Sequence, residues 1–469
     1  MISNDNNVPS SSSHSYEFSN YGSILKHFGL KRPNYYQLFQ KDIIHLTNYI
    51  NTITMPFSIV HSVMSFIRVL QFLLPCFIPS YNNFWNEGSV DQITINVISV
   101  LYSLIPPTLI FTSLQYLLLV FIIIDTIVII TMIFLSYYFK KYAKLPKFIP
   151  TLVYLYHITF GYFFCPIIFF AISESISYMA TNDIPSSTTL AQLITLDFFS
   201  LICVSFNTLF IFIDISENLE FRPISMASTT PVPHFIFFVM TVMINIFFGL
   251  AVNLRMKCQI IFFCFNILFY IFTLFSVFFV GGYVQPYVSN IVLSSSITGA
   301  CFTLINLVLI VLGKKGSLAI FFAFVIFFVM SLFLAFFIFQ NITIRQLKLL
   351  DSIQEDESLF SLIKSPNHFV FIAICGIRFA HPIVVDTSFF NMGAERWKDQ
   401  FVFLIYAKFI AIYPEETATL KYVFNNITRN KYNSLSMRCL EEQSMYVMKH
   451  RETELSPQLQ SRLNQLKHQ

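Results

Sequence analysis

Five ionisable side chains stand in or beside long apolar runs: Asp125, His157, Glu174, Asp197 and Asp214. Asp125 is the sharpest case, set between Phe121-Ile-Ile-Ile124 and Thr126-Ile-Val-Ile-Ile130. A charged side chain at the middle of a bilayer costs roughly 2.5–3.5 kcal/mol on insertion scales, so it must face protein and find a partner there. A carboxylate so placed can carry an ion or proton pathway, or hold a ligand. The commoner role is an interhelical hydrogen bond that fixes packing. That blander reading outweighs the functional one for Asp125 and Asp197, and more so for Glu174 and Asp214 near the ends of their runs. His157 reads as a packed histidine.

Other chemistry has no foothold in the sequence. The phosphate loop G-x-x-x-x-G-K-S/T, the dinucleotide fingerprint G-x-G-x-x-G, and the H-E-x-x-H and G-x-S-x-G signatures do not occur. Gly313-Lys314-Lys315-Gly316 is a tight loop between apolar runs. Six of the eight cysteines lie in apolar segments and none forms a C-x-x-C pair, so buried thiols are expected rather than a disulfide framework or a zinc site. The sequence therefore predicts no catalytic residue, no metal and no cofactor. The sequons at Asn341 and Asn426 read as chance matches, the first against a membrane end and the second in a helix.

The elements that must position these residues are written for lipid. The chain of 469 residues is 55% hydrophobic and 12% charged, with 57 Phe and only 12 Gly. A soluble domain carries roughly 25% charged residues, so a polytopic membrane protein is the class. A net charge of +4 gives no reason to expect nucleic acid. Apolar runs long enough to span cover 115–138, 148–172, 190–213, 234–252, 258–280, 289–312 and 318–340. Two weaker runs are 54–78, which holds His61, Arg68 and Pro75, and 93–112, which holds Pro106-Pro107. Eight to ten spans are expected, nine on a plain count.

Lys140, Lys141, Lys144 and Lys147 form a cytoplasmic signal, whereas Arg255 with Lys257 and Lys314 with Lys315 fall on the opposite side if every strong run crosses once. Both termini are placed in the cytoplasm, which needs an even number of spans. The first 52 residues are a polar, partly disordered segment without an early apolar core, so the first membrane helix is expected to direct insertion.

Near residue 340 the solvent changes. About half of the charged residues fall after it. Residues 341–380 read as an exit helix and connector, with an amphipathic stretch over Ile342–Phe360 and a buried helix over His368–Ala380. Residues 381–469 read as a helical repeat-like region. Asp386–Trp397 and Asp399–Tyr413 are predicted as paired helices, with Pro414 stopping the second. Trp397, Tyr406, Ala407 and Phe409 are the expected packing residues, the small Ala407 allowing close approach and the aromatics filling the gap. One such pair cannot bury its own apolar face, so about three are needed for a stable stack.

The run HPIVVDTSFFNMGAERWKDQFVFLIYAKFIAIYPEETATLKYVFNNI, from His381, resembles a segment of the trichomonad-type multi-pass adenylate/guanylate cyclase-like membrane proteins. These protozoan proteins are related here to the tiny-macrocysts (TmcB/TmcC-like) proteins with TPR- or HAT-type repeats. The closing SPQLQSRLNQLKHQ also fits. The resemblance covers most of the chain in layout and is specific over about residues 381–469. It implies an all-α fold: a polytopic bundle of eight to ten transmembrane helices followed by a cytoplasmic TPR/HAT-like region. It also implies a sensor or anchoring role in cyclic-nucleotide signalling, with the lipid bilayer and a protein partner, or a second copy bound through the repeats, as partners. Longer family members continue into a PAS-type sensor and a class III cyclase domain. The tail after 340 is read as helical throughout, so no cyclase residue is carried over. A transporter or channel using the intramembrane acids, and a seven-helix chemoreceptor, are the alternative readings.

Overall fold

A computed structural model describes residues 58–76, 110–142, 148–181, 187–216, 231–252, 256–279 and 286–410, with Tyr283 and scattered positions within 42–50, at 91 and 93, and at 145–146. Every regular element among them is helical. The helices are α1 (Ser58–Leu73), α2 (Ile110–Tyr142), α3 (Phe148–Tyr156), α4 (Tyr162–Thr181), α5 (Ser187–Ser216), α6 (Pro231–Val252) and α7 (Met256–Phe279). They continue as α8 (Pro286–Val311), α9 (Leu318–Glu355), α10 (Pro366–Arg378), α11 (Pro382–Val385), α12 (Ser388–Trp397) and α13 (Gln400–Ile410).

Among the described residues 8 helical segments are long and apolar enough to cross a membrane, α3 and α4 forming one of them. The chain is a multi-pass membrane protein. The weak run 93–112 lies outside the described residues except for Ile93 and the last positions, which open α2. Over its most apolar stretch, 59% of the α3–α4 span is enclosed by protein, against 22% for α2 and 17% for α9. So α4 runs through the middle and α2 and α9 face lipid. Their exposed apolar side chains fall in helical stripes: Ile123, Ile127, Ile130 and Phe134 on α2, and Phe322, Ile326, Met330 and Phe333 on α9.

α2 and α5 lie parallel, one crossing apart. Thr126 meets Cys203, and Met132 and Leu135 share a core with Phe210 and Ile213. Ile43, Ile44, Leu46 and Ile50 complete that core, so the end of the N-terminal segment packs on the bundle.

Proline shapes α1. Pro75 has no N–H, so the Gln71 carbonyl loses its helical donor and the last turn tightens into the 3-10 turn Leu74–Cys76. Three other helices supply replacements. Asn245 of α6 donates to the Gln71 carbonyl at 3.3 Å, Tyr270 of α7 donates to that of Phe72 at 2.8 Å, and Asn306 of α8 donates to that of Cys76. Gly299 of α8 makes room, since a Cβ there would collide with the Tyr270 ring.

The border near 340 is not a break in the chain's path. α9 is one helix of 38 residues and runs straight through it. Beyond it a small cap forms on a second core. Asp356 caps the 3-10 turn Glu357–Leu362, and the Ser365 side chain accepts from the His368 N–H ahead of Pro366, which starts α10. Thr387 (φ 60) and Lys398 (φ 46) adopt left-handed backbone at the ends of α12 and set the tight joints of the cap. Leu347 of α9 borders both cores, and Phe371 and Cys375 of α10 belong to the bundle's core.

Candidate functional site

Among the described residues, an irregular stretch of backbone lies inside the α3–α4 span. Between the two helices, His157–Gly161 form a π turn, closed by the Tyr162 N–H on the His157 carbonyl. Pro166 follows within α4 and removes another helical donor. Such turns leave carbonyls without their usual partners, and at this depth water cannot serve them. Side chains do. Asn207 of α5 donates to the Gly161 carbonyl at 3.2 Å, and Gln71 of α1 donates to that of Phe163 at 2.8 Å.

The ionisable residues gather around this interruption. Asp125 of α2 accepts a hydrogen bond from Tyr156, the last residue of α3, at 2.7 Å. Its neighbours include Cys165 of α4 and Cys203 of α5. Cys165 in turn contacts Thr208 at 3.3 Å. His157 opens the π turn, with its ring 5.1 Å from that of Phe210 and beside Asn207.

Asp197 does not join Asp125. It lies beside Ser175 of α4. Glu174 is buried where α4 runs against Gly249 of α6, a contact so close that a Cβ on Gly249 would press on the α4 backbone. The side chain of Asp214 lies outside the described residues. The acids seen in the sequence are thus dispersed along the bundle.

A cation absent from the expected set completes the site. Arg68 of α1 places its guanidinium 3.2 Å from the centre of the Tyr162 ring and bonds His234 of α6 at 2.9 Å. His61, about two turns earlier, bonds Tyr154 at 3.2 Å. Arg68 and His61 had marked α1 as a weak span. The same two residues are the signal of a polar lining, because a buried charge in lipid must meet partners.

This lining reaches the cap. The His234 ring lies 6.5 Å from that of Tyr283, and the Tyr283 hydroxyl donates to the Pro233 carbonyl at 3.4 Å. Arg378, at the end of α10, donates to the Tyr283 carbonyl, and its guanidinium lies 5.5 Å from the centre of the Phe339 ring of α9. A chain of polar and ring contacts therefore runs from Arg68 to the first helix of the cap.

Within the cap, Trp397 stands on Phe360 (5.5 Å between ring centres) and Phe369 (5.4 Å). Tyr406 and Phe409 both pack on Phe390, at 5.2 and 4.9 Å, and Tyr406 donates to Asn391 at 2.6 Å. Ala407 is fully enclosed beside them. Pro414 lies outside the described residues. Among the described residues no three His, Cys, Asp or Glu side chains come together as a metal site would require. Compared with known protein families, curated proteins and solved structures, the chain matches none.

Proposed function

We propose that the chain is a non-catalytic sensor or anchoring module of a cyclic-nucleotide signalling system, its cap in the cytoplasm and its bundle in the bilayer. The observation that carries this reading is the contact path Arg68–His234–Tyr283–Arg378, which ties the polar lining of the bundle to the cap. A change of state in the lining has a physical route to the outer helices. The resemblance over residues 381–469 supplies the signalling context, and the repeat-like helices would receive a protein partner or a second copy. Strict alternation of the spans puts Lys140 and Lys141 at the same end as the cap, which supports the cytoplasmic side.

Two measurements test this. Purified full-length protein in nanodiscs should form no cyclic AMP or cyclic GMP from ATP or GTP, and product formation would overturn the non-catalytic reading. Arg378→Met should speed amide exchange both in α10 and in α1 around Arg68. A change confined to α10 would break the coupling.

A second reading, a transporter or channel, is favoured by the interrupted α3–α4 span. Discontinuous helices at membrane depth mark substrate and ion sites in transporters. On that reading Asp125→Asn abolishes an ion-dependent flux into proteoliposomes, and unchanged flux counts against it.

A further inference from the structure

Asp125 is only 2% exposed, so it is closed off from lipid and water alike. Its Oδ1 accepts from Tyr156, and its Oδ2 has no hydrogen-bond partner among the described residues. The titratable groups that face it are Tyr156 of α3, Cys165 of α4 and Cys203 of α5. None is a cation. Arg68 lies within electrostatic reach of Cys165, and it is engaged with His234 and Tyr162.

We propose that Asp125, together with Tyr156, is an exchangeable proton-binding site at membrane depth. An isolated carboxylate in an apolar enclosure takes up a proton in preference to staying ionised. Here one oxygen is served by a single phenol and the other by nothing described, so the neutral acid leaves much the smaller unmet demand. A metal cation fits poorly: a hard cation asks for about six oxygens, and the neighbours here are a phenol and two thiols. The site is also placed to act. Tyr156 is the residue at which α3 gives way to the π turn, so a change of charge on Asp125 bears directly on the interruption. Five residues past that turn's start, Tyr162 faces Arg68. The proposal rests on this geometry and holds for a sensor or for a transporter.

The test is infrared difference spectroscopy of the full chain in nanodiscs through a pH titration. Among the protonated-carboxyl bands that grow as pH falls, one component should vanish in Asp125→Asn and persist in Asp197→Asn and Glu174→Gln. Tyr156→Phe removes the donor to the charged form, and the band's midpoint should move by about one pH unit, a roughly tenfold change in proton affinity. That component, if present at every pH, would make Asp125 a fixed structural acid and overturn the proposal. So would a set of bands unchanged by Asp125→Asn, or a component that answers to sodium at constant pH. If Asp125→Asn fails to fold, the Tyr156→Phe midpoint decides: a shift supports the site and an unmoved midpoint overturns it.

Discussion

The bundle and the cap are both helical, and they are held together by different physics. In the cap, aromatic rings pack on one another. Phe369 stacks on Phe389 at 4.6 Å, and Phe390 is gripped by Tyr406 and Phe409. In the bundle, lipid is as apolar as the helices it surrounds, so burial of apolar surface gives helix association little drive. Specificity there comes from small contacts and from polar side chains that serve freed carbonyls. Asn245, Tyr270 and Asn306 on the broken end of α1 are the clearest example. Proline marks the difference: Pro366 and Pro382 open helices in the cap, whereas Pro75 breaks the end of α1 in the bundle and the freed carbonyls become an interhelical lock.

The contrast can be broken by mutation. The largest effect is expected in the cap. Phe390→Ala removes a fully buried ring and should destabilise the cap by about 3–5 kcal/mol. Amide exchange over 366–410 should approach that of an unfolded chain while the bundle keeps its protection. Equal loss in both regions would show that they unfold as one.

A smaller effect concerns charge. Burial pulls the ammonium of Lys408 down to about 7. The folded cap then favours the neutral amine, while the unfolded chain keeps its proton up to the ordinary lysine range. Between those two values the unfolded chain binds more protons, so cap stability should rise with pH through that window, and the penalty is fully present below about 7. Lys408→Met should flatten the dependence and stabilise the cap at neutral pH. Urea midpoints on either side of the window check this.

The smallest effect belongs to the bundle. Asn306→Leu removes the donor to the Cys76 carbonyl. Interhelical hydrogen bonds in membranes are worth about 0.6–2 kcal/mol, well below the Phe390 effect. Unfolding in mixed micelles should show that ordering. If Asn306→Leu costs as much as Phe390→Ala, the two regions do not differ as described.

Much of the layout was legible because lipid leaves a simple mark. A run such as 318–340 has one reading, and His61, Arg68 and Pro75 set 54–78 apart as a weaker run. The π turn was not legible: His157–Gly161 sits inside a continuous apolar run, and no period distinguishes it. Nor could the sequence say that Asn245 would serve Gln71, since the pairing depends on how α6 lies against α1. Asp125 stood out, and its partner Tyr156 did not, because tyrosine is common in this chain and carries no local signature. In the cap, the aromatic character of Trp397 was visible, but Phe360 and Phe369, on which it stands, arrive from earlier elements.

The length of α9 has a mechanical consequence. At 1.5 Å per residue its 38 residues make a rod of about 57 Å, of which about 22 Å lies past residue 340. A helix longer than the hydrocarbon is thick answers a thinner bilayer by tilting. Tilting this rod by about 5° about its membrane exit swings its far end by about 2 Å, a lever arm set by the 1.5 Å rise. Leu350 and Ile353 on that stretch lie in the core of the cap, while Phe371 and Cys375 hold the cap to the bundle, so any tilt of α9 is felt as shear between those two sets of contacts.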